Sequence, residues 1–170
     1  MEHNQPPIEI DVIFKNPAWN EILPNVEEVV TSMCLSTLHY LNITQKTQHI
    51  EVAIVLTDNT MMQQLNKQYR NKDHPTNVLS FPSHNLIAGQ YDNLKTAITL
   101  GDIVLGLEAI QCEARAQEKT LQNHLSHLIV HGTLHLLGYD HKAEDEASQM
   151  ETIETKILLQ KDISDPYVEI

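Results

Sequence analysis

The stretch His131-Gly132-Thr133-Leu134-His135-Leu136-Leu137-Gly138-Tyr139-Asp140-His141 decides how this chain is read. It closes an apolar segment, Leu121 to Leu137, whose pattern predicts a helix ending at Gly138. On a helix, His131 and His135 stand at i and i+4, so their imidazoles leave one face about one turn apart. That separation suits two ligands of one tetrahedral zinc. Gly138 can adopt positive φ, stop the helix and turn the chain back, which lets His141 approach the same point. Three neutral imidazoles with an open fourth position describe a catalytic zinc rather than a closed structural one. No thiolate stands nearby to suit a softer metal. The expected site is one Zn2+ ion on His131, His135 and His141.

A lone histidine on an apolar helix is more often packed or exposed than a ligand; the glycine turn and the third histidine single out this trio. His124 and His127 lie one to two turns upstream. His124 reads as a surface residue. For His127, support of a ligand and plain packing both stay open. The spacing is that of the metzincin peptidases, H-E-x-x-H-x-x-G-x-x-H, but their glutamate, the general base, is replaced here by Gly132. The metal pattern is present and the peptidase base is absent.

Outward from the motif, Ile8, Ile10, Val12 and Phe14 alternate with polar residues and predict a half-buried strand. Apolar positions from Trp19 to Leu41 follow one helical face, with Pro24 placed in the first turn. Ile50 to Thr57 alternates as a second strand. Asp58 reads as the N-cap of a helix reaching about Tyr69. Val78 to Phe81 is a short strand stopped by Pro82, and Ile103 to Leu107 a buried strand. Between them, Ser83 to Thr99 is polar and shows no period, as functional or mobile connections do. Helices are expected at Glu108 to Lys119, Leu121 to Leu137 and Ala143 to Lys161. Ala147, Met150, Ile153, Ile157 and Leu158 should line the buried face of the last. Four strands and about five helices in irregular order indicate an α+β fold.

The 170 residues suit one domain, 1–170, able to bury a core without disulfides. Cys34 and Cys112 stand apart in separate apolar segments, which fits a reducing cytoplasmic setting. The first seven residues show no signal-peptide pattern. No apolar run reaches the ~18–20 residues of a membrane span. The net charge of −12 argues against a general electrostatic grip on nucleic acid. Ten histidines are the compositional oddity.

Three motifs together carry a resemblance: His131 to His141, then Leu65-Asn66-Lys67-Gln68-Tyr69-Arg70 with Pro75-Thr76-Asn77-Val78-Leu79-Ser80-Phe81-Pro82, and Leu100-Gly101-Asp102-Ile103-Val104. In this order, over residues 50 to 141, the chain resembles the YbeY family of bacterial rRNA maturation factors, metal-dependent endoribonucleases specific for single strands. The resemblance implies a zincin-like fold with a small mixed four-stranded sheet, three histidine ligands, and catalytic roles for Arg70 and for His131. It also implies single-stranded rRNA as substrate, 16S rRNA 3′-end maturation and ribosome quality control as the setting, and the ribosome or small-subunit assembly proteins as partners.

One residue departs from the family's usual T-D-V-L-S-F-P: Asn77 stands where the aspartate would, and a carboxamide cannot act as a carboxylate base. Asp102 is the remaining matching carboxylate, and it also reads as a strand-end acid. Asp140 reads as a turn cap or an orienter of a ligand. Lys67, Arg70 and Lys72 form the densest basic cluster, which otherwise suits a solvated helix end. Two other functions remain to be separated from the nuclease: a zinc peptidase or small-molecule hydrolase, and a non-catalytic ribosome-assembly factor with a structural metal.

Overall fold

The computed structural model describes residues 8–168; the leading heptapeptide falls outside them. The strands are β1 (Ile8–Phe14), β2 (His49–Thr57), β3 (Val78–Pro82) and β4 (Ala97–Gly106). The helices are α1 (Ala18–Ile22), α2 (Val26–Tyr40), α3 (Asn59–Arg70), α4 (Leu107–Ala116), α5 (Leu121–Leu136) and α6 (Glu144–Leu159), with a 3₁₀ turn at Ile43–Gln45. The sheet order is β1-β2-β4-β3. The first three strands of that order run parallel, and β3 pairs antiparallel with β4. This is the mixed four-stranded α+β arrangement expected.

Strand alternation sorts the sheet into two faces. Ile50, Val52, Ile54 and Leu56 point into the main core with Trp19, Val30, Leu38, Ile103, Leu105, Ile129 and Leu134. The opposite face receives α3, whose Met62 packs with Leu79 and Val104. Side chains at this depth each contribute ~1.5–3 kcal/mol of burial free energy. Helix α5 runs through the middle of the molecule, against β3 and β4 on one side and α2, α4 and α6 on the others.

Two sequence expectations need correction here. The helix expected over Trp19 to Leu41 is two helices: α1 ends before Pro24, and Val26 starts α2. Proline lacks an N–H and disfavours helical geometry in the residue before it, so the break sits at Leu23. The count is therefore six α-helices among the described residues. The strand expected at Ile103 to Leu107 begins six residues earlier, at Ala97. Its first half is hidden from pattern reading by a bulge: Glu51 pairs with Thr99 and Val52 with Gly101, leaving Leu100 unpaired. Gly101 has φ +139°, and a Cβ there would lie 2.2 Å from the Phe81 carbonyl oxygen, so only glycine fits.

The remaining polar connection between β3 and β4 is tied to the end of α5. Buried Tyr91 donates from its hydroxyl to the Leu137 carbonyl at 2.7 Å. Both cysteines are free; burial pushes the Cys34 thiol up to about 12, while Cys112 is exposed.

Candidate metal centre

Helix α5 starts at Thr120, whose hydroxyl accepts from the Asn123 N–H at 3.1 Å. It ends in a Schellman turn. The Tyr139 N–H reaches the Leu134 carbonyl (3.0 Å), the Gly138 N–H reaches that of His135 (3.1 Å), and Gly138 has φ +94°. A Cβ at Gly138 would lie 2.2 Å from the Leu86 carbonyl oxygen, so the β3–β4 connection lies directly on the glycine. This turn brings His141 back beside the helix. Ring centroids stand 4.5 Å apart for His131 and His135, 5.1 Å for His135 and His141, and 5.6 Å for His131 and His141. One ring nitrogen from each lies within 4.8 Å of the others.

Hydrogen bonds on the far side of two rings decide which nitrogens face inward. The His135 Nδ1 lies 2.9 Å from the Tyr139 carbonyl oxygen, which can only accept, so Nδ1 carries the proton. The His131 Nδ1 lies 2.7 Å from the Glu154 carboxylate, with the same consequence. The two Nε2 atoms are left 3.0 Å apart with their lone pairs converging. Burial, then the neighbouring His131, pushes the His135 imidazole down to about 4, so it is neutral at pH 7. Two ring nitrogens 3.0 Å apart and facing one point suit a cation held by nitrogen, so the donor set fits a divalent metal.

Two more groups among the described residues place metal-capable atoms together: His127, His131 and Glu154, and Glu9, His49 and Glu51 on the sheet. The first shares His131, and its carboxylate is already taken up by hydrogen bonds from His127, His131 and Tyr167. The second lies on side chains that are mostly solvent-exposed.

The histidine trio opens into a cleft of about 680 Å³. Arg70, at the end of α3, lines the same cleft, together with Asn77, Ser80, His84 and Lys142. Of the neighbouring cations, Lys67 is directed to Asp73 at 3.7 Å. Asn77 accepts the Val78 N–H (2.6 Å) and donates to Glu113 (3.0 Å). An aspartate there would set carboxylate against carboxylate. Asp140 accepts the His141 N–H at 2.8 Å, so it holds the turn. Asp102 sits within β4, paired with Phe81 and Ala53, rather than at a strand end. A Cβ at Gly132 would meet Ile103 at 2.9 Å and Ser80 at 3.2 Å; this position is where α5 crosses β3 and β4.

His124 corrects a further expectation. It is 3% exposed, not on the surface, because its side of α5 faces α4, where Glu113 lies 2.6 Å from its Nε2. His127 makes a definite contact, 2.9 Å from Glu154. Glu154 itself is missed by pattern reading. It is fully buried on α6, between Met150 and Ile157 on the apolar stripe. A lone carboxylate inside such a stripe is the signal that could have found it, since buried charges are paired. Burial alone would raise its carboxyl, but the His127 and His131 donors outweigh that and hold it at about 2.

Comparison with known proteins places the chain in a family. The family described as Endoribonuclease YbeY matches residues 14–162. An Endoribonuclease YbeY of Bartonella bacilliformis is 44% identical over 165 residues, covering 96% of this chain and 99% of that protein. One from Allorhizobium ampelinum is 49% identical over 117 residues, covering 69% and 68%. A solution structure of a Thermotoga maritima protein shares the fold at TM-score 0.50 and 21% identity, covering 94% of this chain and 99% of that one. With the family match running from the end of β1 through α6, and the Bartonella bacilliformis relative aligned across nearly its whole length, this chain belongs to the YbeY endoribonuclease family.

Proposed function

We propose that this chain is a zinc-dependent endoribonuclease for single-stranded RNA, acting as one domain in 16S rRNA 3′-end maturation and ribosome quality control. The observation that carries the reading is the convergence of the His131 and His135 Nε2 atoms beside His141, in a cleft whose wall includes Arg70. Zinc on those three imidazoles would supply positive charge and activation of water for phosphodiester hydrolysis. Arg70 offers a planar donor fork that matches two phosphate oxygens, where negative charge develops during cleavage. Lys142 lines the same cleft and adds to the field that holds the phosphate. His131 and His135 hold their protons on Nδ1, turned away from the substrate.

Gly132 weighs against a peptidase, because the peptidase base has no room where α5 crosses the sheet. The open cleft beside the histidines weighs against a purely structural metal. About half the net negative charge lies beyond Gly138, and none of the α6 carboxylates lines the cleft. The overall charge of −12 still opposes a general grip on nucleic acid, so naked RNA is held weakly, and the ribosome or a small-subunit assembly protein presents it in the cytoplasm.

The test combines elemental analysis with cleavage assays on single-stranded RNA and on peptides. One zinc per chain, RNA cleavage abolished by chelator and intact peptides are expected. Arg70→Glu should lower kcat/KM by about 100-fold while zinc content is unchanged. Peptide cleavage, or RNA cleavage indifferent to chelator, overturns the reading.

A further inference from the structure

Glu154 reaches the centre from 23 residues beyond His131. Its carboxylate is completely buried, yet three donors close on it. His131 Nδ1–H meets Oε1 at 2.7 Å, His127 Nε2–H meets Oε2 at 2.9 Å, and the Tyr167 hydroxyl also donates to Oε2. The Tyr167 backbone is pinned in turn, its N–H donating to Asp165 at 2.8 Å. Tyr167 lies with Pro166 and Val168 along a second cleft of about 710 Å³, which His131, Asn77 and Glu113 also line. The Pro166–Val168 segment therefore stands between solvent and the carboxylate.

We infer that Glu154 is a positioning residue for the metal ligand His131, and that Tyr167 is the seal that keeps this carboxylate dry. The inference rests on His131 being a ligand. An ionised carboxylate only accepts, so it holds the His131 proton on Nδ1 and frees Nε2 for the metal. It also fixes the plane of the ring, which is otherwise free to turn about χ2. Shielded from water, the negative charge strengthens the imidazole as a donor more than an exposed carboxylate would. His127 belongs to this support and is not itself a ligand: its Nε2 is spent on Glu154, and its Nδ1 is buried away from the cleft of the histidine trio. The Asp165–Val168 segment is thus part of the metal centre, although it adds no ligand to it.

The test measures zinc affinity by competition with a chromophoric chelator, and the visible absorption of the cobalt(II)-substituted protein, on the full chain. Glu154→Gln keeps the shape and removes the charge. It should weaken zinc binding by about 10- to 100-fold and change the cobalt spectrum. Tyr167→Ala, at a partly exposed position, should weaken zinc binding by about threefold as water reaches the carboxylate. Circular dichroism should report a native fold for both. If Glu154→Gln does not fold, Tyr167→Ala carries the test alone. Wild-type affinity and spectrum in whichever variants fold overturn the inference. His135→Ala separates the two levels. Loss of zinc there with unchanged binding in Glu154→Gln overturns only the positioning role. Unchanged binding in His135→Ala overturns the site, and this inference with it.

Discussion

Helix α5 carries four histidines, and its two halves use them to different ends. In the first half, His124 pairs with Glu113 of α4 at 2.6 Å; in the second, His131 pairs with Glu154 of α6 at 2.7 Å. The pairs are chemically alike. The difference lies on the other side of each ring. The His131 Nε2 looks into a cleft and meets a second lone pair, whereas the His124 Nδ1 is buried without a partner. An imidazole–carboxylate contact is therefore cement in one place and part of the proposed metal centre in the other. The vacant nitrogen, not the paired one, tells them apart.

The largest effect expected from breaking this contrast is at the inner half. His135→Ala removes one of the two converging lone pairs, and bound zinc and RNA cleavage should both fall by about 100-fold or more. Elemental analysis and a cleavage assay check it. A variant that retains zinc would make the inner half no different from the outer one.

Next in size is Gly132→Glu, which restores the missing peptidase base on paper. Ile103 and Ser80 leave no room for its Cβ. The variant should lose about 1–3 kcal/mol of stability, read from denaturant unfolding, and gain no peptidase activity.

The smallest effect belongs to the outer half. His124→Gln should change zinc affinity by less than about twofold and stability by about 1 kcal/mol. It should also flatten part of the acid side of the stability curve. Burial, partly offset by Glu113, holds the folded His124 below its ordinary pKa. The unfolded chain then takes up a proton first as pH falls through ~6.5. The wild type keeps this contribution above that pH and loses it as pH drops toward the folded value. Unfolding of both proteins across pH 5 to 8 measures the difference; parallel curves would remove His124 from the explanation.

Legibility in the sequence follows the range of the interaction. Strands β1 and β2 alternate cleanly, because each buries one face and each neighbour lies in register. The start of β4 does not, since a bulge shifts the alternation at Leu100 and Gly101. The division of α1 from α2 was available in Pro24, but helical periodicity runs straight through it. The histidine trio could be read from spacing because i, i+4 and the glycine turn are local geometry. His124 could not be placed, because Glu113, 11 residues away, lies on a different helix.

By itself, the sequence determined the three imidazoles at one end of a helix, the glycine that turns the third toward the other two, and the family to which these motifs point. The helical repeat and the handedness of L-residues are enough for that. Tertiary structure alone decided that Glu154 backs His131 and that Glu113 hides His124. These contacts join separate helices, whose docking depends on the whole packed core and not on any local period.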